Sequence, residues 1–150
     1  MEGARESARW RRICLRAASV CSWSAGLGFG IPDLYGIWHY STTGQVWVFL
    51  GFPTYGGGPF TEIGLNTSSP LLVAFFGVCA AEAVAGWLLW RRRRCGAVLG
   101  LALLPFEFAF WIGFALPFGP LLGIARTVLI VTGWPALLDR ANRGAASQLT

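Results

Sequence analysis

Four apolar segments constrain what this chain can fold into more than any other feature. They cover residues 17–36, 70–90, 95–116 and 120–138, and each is close to the roughly 20 residues that a helix needs to cross a ~30 Å hydrocarbon core. The composition agrees, because only 13% of the residues are charged, whereas a soluble domain carries roughly 25%. The sequence therefore predicts an all-α membrane protein, with four transmembrane helices in one compact bundle.

The first segment follows a basic stretch, residues 1–16, as the apolar part of a signal peptide would. However, no small-x-small cleavage site ends it, and Val20 before Cys21 is unfavourable for lipoprotein processing. A segment of about 20 apolar residues is also long enough to span the bilayer. We therefore expect a retained helix after a cytoplasmic N-terminus.

All positive charges are arginines, as is typical of a GC-rich bacterial genome, and all but Arg126 lie in three short stretches. Five precede the first segment, and two, Arg140 and Arg143, follow the fourth. The four between the second and third segments are Arg91, Arg92, Arg93 and Arg94. We therefore expect a protein of the plasma (inner) membrane. By the positive-inside rule, both of its termini, including the tail 139–150, are expected in the cytoplasm.

The run of four arginines could also be a nuclear signal, but between two spans a topology determinant is favoured. Arginine clusters confined to short stretches in this way cannot follow a phosphate backbone. No nucleic-acid partner is therefore expected.

Small residues recur on one face of each segment at helical spacing. Close approach over such residues drives helix association in lipid, so these stripes predict a left-handed bundle with its small faces inward. The stripes are Gly26 and Gly30; Cys79, Glu82 and Gly86; Gly96, Gly100 and Glu107; and Gly119, Gly123, Arg126 and Gly133.

Glu82, Glu107 and Arg126 are the charged residues inside the second to fourth segments. Ionisable groups at membrane depth are costly and seek partners, and counting residues from the helix ends puts Glu107 and Arg126 at nearly the same depth. One interpretation is a structural ion pair that fixes helix register. The other is a pocket or proton path, in which two acids sharing one base leave a carboxyl free to take up a proton.

The outer loop, residues 39–69, is too apolar for a free linker and is long enough to expect a structure of its own. We expect an interfacial or re-entrant segment that caps the bundle and anchors it at the membrane surface. Ligand capture by this loop is the alternative, and the candidate residues for it are His39, Tyr55, Phe60 and Glu62.

Two resemblances follow from particular residues. Residues 81–90, with Glu82 ahead of a Leu-rich turn, then the four arginines and another apolar helix, resemble the DoxX-like group of small four-helix bacterial membrane proteins. That group includes subunits associated with quinone or thiol oxidation. Residues 51–60, GFPTYGGGPF, are similar to uncharacterised actinobacterial membrane proteins. Neither resemblance transfers an active site, and the outer loop departs from the DoxX-like pattern.

No motif assigns an activity or a cofactor. The four cysteines form no CxxC pair and no metal cluster with His39. We therefore expect a non-catalytic accessory or assembly subunit of a bacterial membrane complex, in contact with lipid and with a membrane-protein partner or a second copy. The alternative is an intramembrane binder or carrier of a small apolar or quinone-like molecule. A third hypothesis, a membrane-embedded isomerase, ranks last because no histidine accompanies the buried acids.

Overall fold

The computed structural model describes residues 2–146, apart from the side chains of residue 4 and residues 139–146. This part of the chain is helical except for a hairpin of two short strands and the connecting turns, so the all-α prediction is confirmed. The elements in chain order are α1 (Glu2–Thr43), β1 (Val48–Phe49), β2 (Phe52–Pro53), α2 (Pro59–Glu62), α3 (Ser69–Trp90), α4 (Arg94–Gly113) and α5 (Gly119–Ala146). The side chains of Arg140 and Arg143, and residues 147–150 of the expected tail, lie outside the described residues.

The first helix is much longer than the apolar segment that predicts it. It begins at Glu2 and ends at Thr43, so residues 2–16 of the basic stretch and the first residues of the expected loop, 39–43, belong to α1. Arginine and alanine are strong helix formers, and a helical N-terminus does not need an apolar sequence. The hydrophobic pattern therefore located the middle of α1 and missed both of its ends.

Three helices of the described chain are long and apolar enough to cross a membrane: α3, α4 and the Gly119–Leu138 part of α5. The membrane-helix prediction is confirmed for these three by length and composition. The segment 17–36 of α1 is not among them, because three serines and Asp33 interrupt its apolar residues.

Each of the four long helices packs against two of the others. α1 lies along α3 and α5, and α4 lies along the same two helices. Glycines from the predicted stripes permit close approaches: a Cβ on Gly26 would lie 2.6 Å from the carbonyl oxygen of Cys79 on α3. A Cβ on Gly123 of α5 would lie 2.6 Å from the indole of Trp111 on α4. Both approaches are too close for any larger residue unless the neighbouring group moves.

The loop between α1 and α3 has its own structure, as expected. β1 and β2 pair antiparallel around a turn in which Leu50 and Gly51 both have positive φ, 51° and 84°, the arrangement that matches the twist of a two-residue hairpin. Trp47 packs edge-on against Tyr35 of α1 with ring centroids 4.8 Å apart. The chain thus folds back along α1, and the tip of the hairpin leaves Leu50 82% exposed.

Candidate functional site

Three helices bring the predicted charged residues together. Glu82 comes from α3, Glu107 from α4 and Arg126 from α5, and their relative exposures are 2%, 1% and 1%. Helix spacing explains the convergence, because each residue lies on the face of its helix that carries small residues, so that face can approach its neighbour. We call Glu82, Glu107 and Arg126 the charged cluster.

The guanidinium of Arg126 holds this cluster together. Its Nη1 donates to Oε1 of Glu82 and, at 3.0 Å, to Oε1 of Glu107. Its Nη2 donates to Oε2 of Glu107 at 2.7 Å and to the backbone carbonyl of Gly100 at 2.8 Å. Glu107 therefore receives the two-pronged contact that suits a planar guanidinium, and Arg126 is bonded to both α3 and α4.

The two acids are not equivalent. Both oxygens of Glu107 accept hydrogen bonds from Arg126, whereas Oε2 of Glu82 and Nε of Arg126 have no hydrogen-bond partner among the described residues. Two carboxylates facing one guanidinium would carry a net negative charge if all three were ionised. Glu82 is thus the member of the charged cluster with spare capacity to hold a proton or to bond a water molecule.

A small cavity adjoins the two acids. Its volume is about 10 Å³, and its lining includes Glu82, Glu107, Cys79, Gly26 and Trp111. That volume is near the minimum for a single water molecule. In this conformation the cavity has room for a water bridging the glutamates and no room for an organic ligand.

The structure separates the four outer-loop candidates. Tyr55 is buried, donates its hydroxyl to the Phe29 carbonyl at 2.8 Å, and packs against Phe75 and Phe114 with centroids 5.4 and 5.7 Å away. Phe60 contacts the same Phe114 edge-on. His39 instead stacks on Tyr35 of its own helix, and Glu62 is exposed. Tyr55 and Phe60 close the end of the helices at which the α1–α3 loop lies, and the four residues do not converge on one site.

The Tyr55 hydroxyl is a fixed donor. Burial raises the pKa of Tyr55 far above its ordinary range, and the neighbouring Asp33 carboxyl raises it further. Tyr55 also adopts a positive φ of 62°, and its carbonyl accepts a hydrogen bond of 2.8 Å from Thr67. A positive φ costs a non-glycine residue stability, and here hydrogen bonds at the side-chain hydroxyl and at the backbone carbonyl hold Tyr55 in that conformation.

Asp33 is a buried acid that the sequence analysis missed. It is 0% exposed, and neither carboxylate oxygen has a hydrogen-bond partner among the described residues. The available signal was an aspartate within the first apolar segment, where the intramembrane cost applies as it does to Glu82. Asp33 lies one turn from the end of the first segment, and a search for charges confined to the later segments leaves it out.

The predicted topology determinants form the turn between α3 and α4 and its flanks, and two of them make side-chain contacts with the helices. The Arg91 guanidinium lies 4.6 Å from the ring centroid of Trp87. Arg94 donates to the carbonyls of Leu137 and Leu138 at 3.2 Å each. These contacts tie the turn to α3 and α5.

Arg92 and Arg93, the other two predicted determinants, shape the turn through their backbone. Arg92 is half-buried and has a positive φ of 54°. Arg93 immediately precedes α4; its N–H donates to the Leu88 carbonyl at 2.9 Å, and its carbonyl accepts from Gly96 at 3.1 Å. The Arg93 side chain is exposed, so its charge faces outward and does not hold the helices together. The four arginines, predicted as one group, therefore differ in what they contact, and their role in setting topology stays a prediction.

Within the described residues, no group of three or more His, Cys, Asp or Glu side chains is placed to hold a metal ion. The four cysteines are free thiols, and Cys14 and Cys79 are buried.

No protein-family model matches this chain, and no curated protein or solved structure matches it at a significant level.

Proposed function

We propose that this chain crosses the plasma membrane of a bacterium four times, with both termini in the cytoplasm, and acts as a non-catalytic accessory or assembly subunit of a membrane complex. The accessory role is supported by the charged cluster. Its hydrogen bonds are made almost wholly among its own members and Gly100, beside a cavity of about 10 Å³. Such a cluster fixes the register of three helices and leaves little for a substrate to contact.

The contacts of α1 support the fourth span. The Ser19 hydroxyl donates to the Gly86 carbonyl of α3 at 2.5 Å, Gly26 packs on Cys79, and farther along Phe29 accepts the Tyr55 hydrogen bond. The contacts of α1 with α3 therefore extend at least from Ser19 to Gly30. Since α3 is long and apolar enough to cross the bilayer, a helix packed beside it can cross at the same depth, with Ser19, Ser22 and Asp33 buried away from lipid.

The sidedness of α1 gives a direct test of this arrangement. We expect a membrane-impermeant maleimide added to intact cells to label Thr42→Cys and to leave Glu6→Cys unlabelled until the membrane is opened, in a chain whose native cysteines are alanine. Both positions are exposed, and they lie about 54 Å apart along the helix at about 1.5 Å per residue. Labelling of both positions from the same side would contradict a spanning α1.

The accessory role is tested by identifying the proteins that co-purify with the chain from its native membrane. We expect purification in mild detergent to retain a second membrane protein in fixed stoichiometry, and mass spectrometry to identify it. The outward faces of the spanning helices provide the contact surface, since Val84, Phe106 and Val128 are 50%, 60% and 59% exposed. A chain that elutes alone and is active by itself would refute the proposal.

One observation favours the alternative, an intramembrane binder of a small apolar or quinone-like molecule. An apolar groove of about 310 Å³ lies between α1 and α3, and its lining includes Leu34, Phe76 and Ala80. Gly26 and Cys79 line both this groove and the small cavity beside the glutamates, so a molecule in the groove would lie one layer of residues from the charged cluster. A retained small molecule that is lost from Glu107→Gln would favour this role.

A further inference from the structure

An open basic groove lies at the Arg-rich end of the helices, away from the charged cluster. Its volume is about 470 Å³, and it is formed by one face of α1 together with the turn between α3 and α4. Four of its five lining residues are arginines: the lining is Arg9, Arg12, Ile13, Arg16 and Arg92. We call it the arginine groove.

The arginines converge from two elements. Arg9, Arg12 and Arg16 are spaced three and four residues apart, so they share one face of α1. Arg92 comes from the opposite wall and has a positive φ of 54°, a conformation that costs a non-glycine residue stability. No acidic residue is among the lining side chains. Like charges gathered in this way repel one another, and a bound anion would relieve the repulsion.

The surroundings of the groove set its depth. The Arg16 guanidinium lies 5.3 Å from the ring centroid of Trp90, and Trp90 is the last residue of the membrane-capable helix α3. Tryptophan at the end of a span marks the headgroup region. Ile13, which is 47% exposed, adds an apolar wall. The groove therefore offers arginines at the level of phosphates and apolar side chains toward the hydrocarbon.

We propose that the arginine groove binds the phosphate of an anionic phospholipid headgroup. Guanidinium groups hold phosphate oxygens with paired hydrogen bonds, and basic pockets beside transmembrane helices are suited to acidic lipid headgroups. Trp90 and Ile13 favour a lipid over free phosphate, because a soluble anion gains nothing from an interfacial aromatic ring. The proposal does not depend on the accessory role; the proposed topology assigns the arginine groove to the cytoplasmic leaflet.

The test titrates the delipidated full-length chain, in neutral detergent, with phosphatidylglycerol, with phosphatidylcholine and with inorganic phosphate, and counts bound molecules by native mass spectrometry. We expect tight, salt-sensitive binding of phosphatidylglycerol alone. The variant Arg12→Gln/Arg92→Gln should weaken it by roughly 10- to 30-fold. The matched control Arg5→Gln/Arg93→Gln removes the same charge from exposed arginines outside the groove lining and should change binding less than about 3-fold.

Three results would overturn the proposal. Equal weakening in the two double variants would mean that net charge, and not the groove, attracts the lipid. Equal binding of phosphatidylcholine would remove the requirement for an anionic lipid. Inorganic phosphate that saturates the chain and displaces phosphatidylglycerol would assign the groove to a soluble phosphate.

Discussion

Arg126→Leu should lower the free energy of unfolding by about 3–5 kcal/mol, because it leaves two buried carboxylates without their shared cation. Arg126 makes hydrogen bonds to Glu82, Glu107 and Gly100, so the substitution detaches α5 from both α3 and α4. Denaturant titration in mixed micelles measures the loss. Val128→Leu, on the exposed face of the same helix, serves as the control and should stay within about 0.5 kcal/mol of the unsubstituted chain.

The combined variant Glu82→Gln/Glu107→Gln/Arg126→Leu distinguishes a structural cluster from a functional one. Removing all three charges avoids leaving a charge buried alone, so we expect it to regain most of the stability that Arg126→Leu loses. An accessory subunit should also keep its partner in this variant. An Arg126→Leu chain as stable as the unsubstituted one would show that the cluster does not hold the helices together.

Gly26→Ala should destabilise the chain by about 1–3 kcal/mol, although alanine is the stronger helix former. The added Cβ would lie 2.6 Å from the Cys79 carbonyl oxygen and 2.8 Å from the Ala83 nitrogen. Both atoms belong to the backbone of α3, so no side chain can turn aside and the two helices must separate. The same denaturant titration measures the effect.

Gly28→Ala is the matched control, two residues along the same helix. A Cβ on Gly28 would have no neighbour within 4 Å, so this substitution should be neutral or stabilise by up to about 1 kcal/mol through helix propensity. Opposite signs for the two substitutions would establish the contact between α1 and α3. Equal effects would contradict it.

Depth and spacing were enough to anticipate much of the charged cluster. Counting residues from the helix ends placed Glu107 and Arg126 at one level, and the structure brings them to within 2.7 Å. The same count puts Glu82 nearer the cytoplasmic end of its helix, yet Nη1 of Arg126 contacts it as well. A single nitrogen, Nη1, contacts both carboxylates, so the side chains close the difference in depth that remains when only backbone positions are counted.

Other features depend on tertiary contacts that no periodicity encodes. The ends of α1 carry no hydrophobic signal, so its extent from Glu2 to Thr43 could not be read from the apolar segment. Tyr55 lies in a Gly- and Pro-rich loop, and its buried position depends on a hydrogen bond to Phe29, 26 residues away in sequence. Gly119 and Gly123 are predicted as part of a stripe of small residues on α5. The indole that packs against them, that of Trp111, belongs to α4.

The charged cluster also affects how the helices enter the membrane during synthesis. In the proposed four-span arrangement the helices with Glu82 and Glu107 leave the ribosome before the helix with Arg126. A carboxylic acid can enter lipid neutral by taking up a proton, whereas a guanidinium keeps its charge and costs at least about 2.5 kcal/mol at the centre of an isolated helix. Because the acids precede the arginine, its partners are already in the bilayer when it arrives. Insertion of the last helix is thereby coupled to the two before it.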